Sequence, residues 1–249
     1  MTPPIGIFGR GRLARAVDDL ARHEGTAPMW MVGRGGEPTA DVEVAIDASA
    51  AGAVEAHLDW ALRRGTDLVI AATGWDIPDL AIQVAGRIGV VVAPNGSLTV
   101  ALLARLTYLL GAFGRCHCGT ESGEAGGYLL DHHHAAKADA PSGTAQRLAQ
   151  AWREGAGSDL GIASLRSGHE VGRHVVGLDA PGEQLEVVHR ARSRVPFAHG
   201  LLRAAEWVAG RRGLFTLDDV ARDIFAGSAL GLLFSSIDER TLHHAVPGE

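Results

Sequence analysis

The stretch from Asp131 to Ala145 (Asp131, His132, His133, His134, Ala135, Ala136, Lys137, Ala138, Asp139, Ala140, Pro141, Ser142, Gly143, Thr144, Ala145) is the most informative part of the chain for chemistry. A histidine titrates near neutrality, so it can supply the proton that hydride reduction of a C=N bond consumes. Lys137 offers a cation. Pro141 to Thr144 reads as a turn opening a helix that continues through Ala145, Leu148 and Ala149. Backbone N–H groups at such a start, with the hydroxyls of Ser142 and Thr144, suit a carboxylate. Three adjacent histidines invite a metal reading. Neighbours on an extended strand face opposite sides, however, and do not easily share one ion, so no metal is expected.

A second pattern lies near the N-terminus. Gly9, Arg10, Gly11, Arg12, Leu13 and Ala14 match G-x-G-x-x-A after the apolar run Ile5–Phe8 and before a helical stretch. The first glycine permits a tight turn and the second lets the backbone approach a pyrophosphate. The small third residue lets helix and strand pack closely, with the helix N-terminus facing the phosphates. The next strand ends in Val32, Gly33, Arg34 and Gly35, without the acidic residue that usually holds the adenosine ribose. Arg34, with Arg10 and Arg12 nearby, favours a 2′-phosphate, hence NADPH, with NADH the alternative.

These residues need a scaffold. Apolar runs at Ile5–Phe8, Met29–Val32, Val42–Ile46, Leu68–Ile70 and Val90–Val92 alternate with helical stretches at Arg12–Arg22, Ala53–Arg63 and Pro78–Arg87. That alternation predicts an α/β domain with a parallel sheet whose ligand lies at the carboxyl ends of the strands. Gly9, Gly33, Asp47, Thr73 and Asn95 all fall there. After about residue 98 the pattern changes. A long helix over Val100–Leu110 precedes strand-like stretches at Gly127–Leu130, Ile162–Arg166, His174–Gly177 and Gln184–His189, which predict a second, mostly antiparallel sheet. Leu201–Val208 reads as helical again, and Thr216 as the N-cap of a helix from Leu217.

The bulk numbers limit the partners. The 249 residues are 46% hydrophobic and 21% charged, with a net charge of −6. That balance fills a core and gives no electrostatic reason to bind nucleic acid or an anionic membrane surface. No uncharged apolar run has the length of a membrane span, and nothing before Ile5 reads as a secretion leader, so a cytoplasmic location is expected. Cys116 and Cys118 are too close for an unstrained disulfide and read as reduced cysteines in a strand.

The 131–145 segment resembles the signature of the dihydrodipicolinate reductases, in which an acidic residue, a spacer, a histidine, three residues and a lysine precede D-x-P-S-G-T-A. Further segments are similar to that family: Asp47-Ala48-Ser49, Ala72-Thr73-Gly74-Trp75, Ala93-Pro94-Asn95, Val171-Gly172-Arg173-His174 and His189 through Arg194 to Phe197. The resemblance implies His133 and Lys137 as catalytic, and His134, Ser142, Gly143 and Thr144 as substrate-binding. It implies a dinucleotide site of Gly9, Gly11, Arg12, Leu13, Ala14, Arg34, Asp47, Ala72, Thr73, Gly74, Ala93 and Asn95. It further implies a Rossmann-like cofactor domain (1–98 with 204–249), a mixed α/β substrate and oligomerisation domain (99–203), and a homotetramer. The implied reaction is NAD(P)H-dependent reduction of a cyclic imine carboxylate in lysine and diaminopimelate biosynthesis. A paralogue acting on a different cyclic imine and a non-catalytic dinucleotide sensor are the alternatives. The chain departs from the family at Ala72, which lacks a hydroxyl, and at Gly96, which replaces an aromatic residue; both changes are expected to open space. It also continues for 29 residues past Val220, with an apolar Leu230–Phe234 expected to pack on the cofactor domain or on a neighbouring subunit.

Overall fold

A computed structural model describes residues 3–118, 126–228 and 230–235. In chain order the elements are β1 (Ile5–Phe8), α1 (Arg12–His23), β2 (Trp30–Val32), β3 (Val44–Asp47), α2 (Ala51–Arg64), β4 (Asp67–Ile70), α3 (Leu80–Val84), β5 (Gly89–Val92), α4 (Leu98–Cys118), β6 (Gly126–His133), α5 (Gly143–Ala156), β7 (Gly161–Arg166), β8 (Gly172–Ala180), β9 (Glu183–Ala191), α6 (Val195–Val208), β10 (Gly213–Thr216), α7 (Leu217–Phe225) and α8 (Gly231–Ser235). They form two compact units, Met1–Leu98 with Arg194–Glu249, and Thr99–Ser193. The return to the first unit comes at Arg194, not at 204 as expected. A boundary at 204 would cut α6, whose Ala198, Leu201, Leu202, Ala204, Ala205 and Val208 are all buried in the first unit's core.

The first unit holds a six-stranded sheet in the order β10-β5-β4-β3-β1-β2, every pair parallel. Strands buried on both faces need apolar runs of three or four residues, and β1, β3 and β4 are buried throughout. One face is covered by α1, α6 and α7 through Ala14, Val17, Leu201 and Val220; the other by α2 and α3 through Val54, Leu58, Leu80 and Val84. β10 lies outside the strands that the sequence pattern predicts. It adds an edge beside β5, and Asp67 anchors it: that buried carboxylate accepts from Gly89 N (2.8 Å), Gly210 N (2.7 Å) and Arg212 NH1 (3.2 Å). α3 is shorter than the Pro78–Arg87 helix expected: Asp79 takes a left-handed φ of 54° just before it, and Ala85 leaves the helical region with ψ 124° just after it. At the tail, Phe234 is buried and stacks on Phe225 of α7, so α8 packs on the cofactor-type unit.

The second unit has a four-stranded sheet in the order β7-β6-β8-β9. It is mixed: β6 pairs with β8 and β8 with β9 antiparallel, but β6 pairs with β7 parallel. The connection between β6 and β7 contains the 14-residue helix α5, the crossover a parallel pair requires. Leu129, Val176 and Leu178 pack one sheet face on α4 and α5, against Leu103, Leu110, Leu148 and Trp152. α4 runs to Cys118, well past the expected Leu110, so the cysteine stretch is helical and not a strand; Cys116 is a free, exposed thiol. α4 is long and apolar enough to cross a membrane by length and composition. Arg105 is buried in it, and its Leu103, Ala104 and Leu110 belong to the core of this unit.

Candidate active site

The dinucleotide-type loop is built by backbone geometry. Gly9 has φ 114°, and a Cβ there would stand 2.5 Å from Ala48 O, so only glycine fits the turn between β1 and α1. Ala14 is fully buried, which lets α1 lie close on the sheet. α1 begins at Gly11 with no side-chain cap and no acid in its first turn, leaving its N–H groups and positive dipole end for an anion. A cavity of about 390 Å³ opens at this point, lined by Gly11, Arg12, Leu13, Ala48, Ser49, Ala50, Ala51, Ala71, Ala72 and Thr73. It therefore includes Gly11, Arg12, Leu13, Ala72 and Thr73 of the expected set.

The other residues expected at this site fall into three groups. Arg34 is exposed just past β2, and Arg10 bends back to donate to Met31 O (3.1 Å) on that strand. Gly74 follows Thr73 in a left-handed turn, and Ala93 and Asn95 follow β5, where Asn95 Oδ1 accepts from Ser97 N (3.1 Å). Asp47 is different. Its carboxylate is fully buried and occupied by Ser49 N (3.0 Å), Ser49 Oγ and His57 Nδ1 (2.8 Å). It shapes the Ala48–Ala51 turn and does not line the cavity. His57, missed in the sequence, lies flat on Phe8 with ring centroids 3.9 Å apart. Gly96 also corrects an expectation. A Cβ there would meet Leu201 Cγ and Phe197 O at 2.7 Å, so α6 fills the space that the glycine was expected to open.

In the second unit the reactive segment converges on Asp131, fully buried on β6. Its Oδ1 accepts from Ser142 Oγ (2.8 Å), and its Oδ2 from Ser142 N (2.9 Å), Arg166 NH2 (2.8 Å) and Ser164 Oγ (3.2 Å). His133 Nδ1 lies 3.0 Å from Oδ1, off the line of a hydrogen bond, and His174 Nε2 lies 3.4 Å away. Burial pushes the Asp131 carboxyl up, but the bonds from Arg166 and Ser142 outweigh it and hold the group well below the usual carboxylate range. His133 is lowered from its ordinary value, first by burial and then by Lys137 and Arg166, against the pull of Asp131. Burial takes His174 down to about 4.

The three adjacent histidines diverge as alternation requires. His132 turns to the other sheet face and meets Ser167 O (3.2 Å), His133 faces inward, and His134 lies beyond the strand, its N–H donating to Glu170 O (2.7 Å). Among the described residues, Asp131, His133 and His174 are the group with metal-ligand spacing, within 4.8 Å of one another. The donor set does not fit a cation, because four hydrogen bonds, one from a guanidinium, already occupy the carboxylate.

Ser142 also departs from expectation. Its N–H and hydroxyl both point inward to Asp131, and its oxygen caps α5 by accepting from Ala145 N (3.2 Å). Gly143 is exposed with open space over its Cα, so the helix start presents its surface there. Lys137 pairs with the half-exposed carboxylate of Asp139 (2.6 Å). Arg166 and His174 were missed as site residues. They come from β7 and β8, about 35 and 43 positions after Asp131, and only strand pairing brings them together: Asp131 lies opposite Ser164 and His174.

Two family models match this chain. The model described as "Dihydrodipicolinate reductase, N-terminus" matches residues 31–96, and that described as "Dihydrodipicolinate reductase, C-terminus" matches 127–221. This chain belongs to the dihydrodipicolinate reductase family. A 4-hydroxy-tetrahydrodipicolinate reductase of Laribacter hongkongensis is 32% identical over 88% of this chain and 90% of its own length. The enzyme of the same name from Zymomonas mobilis is 33% identical over 87% and 96%. Among solved structures, a dipicolinate-bound dihydrodipicolinate reductase from Paenisporosarcina sp. TG-14 superposes with a TM-score of 0.72, covering 87% of this chain and 98% of that one. At 18% identity it speaks for the fold.

Proposed function

We propose that this chain reduces 4-hydroxy-tetrahydrodipicolinate, a cyclic imine dicarboxylate, to tetrahydrodipicolinate at the expense of NADPH, in lysine and diaminopimelate biosynthesis. The observation that carries the reading is that one oxygen, Asp131 Oδ1, touches both His133 and Ser142, so a proton donor stands beside the start of α5. A substrate carboxylate meets the amides from Gly143 onward, with Lys137 released from Asp139 as its counter-ion. Loss of the substrate's hydroxyl as water leaves a conjugated imine. Hydride adds to an electron-poor ring carbon, and a proton from His133 or Lys137 goes to the atom that takes up the displaced electron pair. The nicotinamide nucleotide supplies the hydride, and its pyrophosphate suits the uncapped start of α1.

Two further expectations belong to this reading. A cytoplasmic location suits the net charge and the biosynthetic role. A homotetramer is supported by the uncovered face of the second sheet, where Leu130, Leu165 and Val188 are 42%, 54% and 52% exposed.

The test is a cofactor-oxidation assay on freshly generated hydroxytetrahydrodipicolinate. His133→Gln and Lys137→Ala are each expected to lower turnover by about two orders of magnitude or more. Unchanged turnover in both variants, or no oxidation by the native chain, defeats the proposal.

A further inference from the structure

Asp131 does more than fill the acidic place in the sequence pattern. One piece of the site is bonded to its carboxylate, a second stands against it and a third reaches it through Arg166. The first is the start of α5, held by two bonds from Ser142. The second is the ring of His133, 3.0 Å from Oδ1. The third is the loop carrying Lys137. Arg166 bonds Asp131 Oδ2 (2.8 Å), and the same guanidinium bonds Asp139 O through NH2 (2.7 Å) and Nε (3.2 Å) and Asp131 O through NH1 (3.0 Å). A fully buried carboxylate is costly unless it is paired and saturated with donors, and this one is. Two bonds from one residue fix Ser142 in position and direction, and Ser142 in turn sets where the first amides of α5 point.

We propose that Asp131 is the positioning residue of the substrate-side site: its carboxylate holds the α5 start directly and the Lys137 loop through Arg166, and its charge stands against the His133 ring, so that the anion cradle keeps a fixed relation to the proton donor. The proposal rests on the functional reading above for what those pieces do. Its electrostatic consequence can be measured without turnover. The charged or titratable groups facing His133 are Asp131 on its own strand, Lys137 and Asp139 on the following loop, Arg166 on β7 and His174 on β8. Asp131 favours the protonated ring; Arg166 and Lys137 disfavour it.

The experiment follows the imidazole of His133 by NMR titration, its signal assigned by its loss in His133→Gln. Asp131→Asn is expected to move the midpoint to lower pH by about one unit. Arg166→Gln, which leaves the carboxylate and removes the cation, is expected to move it upward. In steady-state assays Asp131→Asn is expected to raise the KM for the imine at least tenfold and leave that for NADPH within twofold. A His133 midpoint that stays put in either folded variant overturns the proposal. So does failure of both variants to fold while His133→Gln folds, since Asp131 would then serve folding alone. A native chain that oxidises no NADPH with the imine defeats the functional reading, yet the titration still judges Asp131.

Discussion

His174 shows how burial and charge set the behaviour of a single residue here. It sits between Asp131 and His189, with ring centroids 5.3 Å from His133 and 5.9 Å from His189. Burial lowers it from 6.5 to about 4. The unfolded chain takes up this proton as pH falls below about 6.5, and the folded chain does not until about 4. Stability from this group is therefore complete above 6.5 and drains away between 6.5 and 4. Denaturant titrations at pH 7 and pH 4.5 are expected to show a smaller acid loss in His174→Asn than in the native chain, the difference approaching about 3 kcal/mol. Equal losses would remove His174 from the account. Asp131 does not blur this window, since its lowered carboxyl acts below it. On the cofactor side, Arg34 is exposed past β2 with Arg10 held to the same strand. Arg34→Ala is expected to lower the ratio of kcat/KM for NADPH over NADH by about ten- to a hundredfold, because a single charge-assisted contact to a 2′-phosphate is worth roughly 1.5–3 kcal/mol. A native preference for NADH would reverse the assignment.

The elements divide into those whose signals are local and those that depend on distant partners. Strand, glycine turn and helix from Ile5 to His23 are legible because a positive φ, a small packing residue and a 3.6 period all lie within 20 residues. Thr216 as a cap is legible for the same reason; its N–H and hydroxyl both donate to Asp219 Oδ2 at 2.7 Å. The second sheet is mostly antiparallel, as the pattern predicts; its one parallel pair, β6 with β7, is signalled by α5 between them, a crossover that turn-rich flanks obscure. The Asp131 network was half legible. Asp131, His133 and Ser142 share one segment, but Arg166 and Ser164 carry no local mark and enter through register alone. Gly96 looks in the sequence as if it opens space, because nothing there shows that α6 presses on it. Gly96→Ala is accordingly expected to destabilise the chain by about 1–3 kcal/mol through overpacking against Leu201 and Phe197. Thermal unfolding measures this, and a neutral or stabilised variant would mean that α6 yields at no cost.

For the whole molecule, the face of the second sheet that turns away from α4 and α5 is the feature that one chain leaves unexplained. Leu130 lies opposite Val175, which lies opposite Val188, so the apolar row crosses three strands. Leu165, opposite His132, continues it on the edge strand β7. Tyr128 hydrogen-bonds Glu186 on the same face, an interaction that pushes the phenol up to about 12. An apolar row framed by polar side chains such as Glu186 and Arg190 on an exposed sheet face suits an isologous contact between copies. Charge placed there opposes its own symmetry mate and costs little in the isolated chain, where Val188 is half exposed. Val188→Lys is thus expected to reduce the mass measured by light scattering, taking the proposed tetramer to a dimer or monomer, with the far-UV circular dichroism unchanged. An unaltered tetramer would move the contact elsewhere on the surface. A native monomer at micromolar concentration would show that this face serves no assembly of this chain.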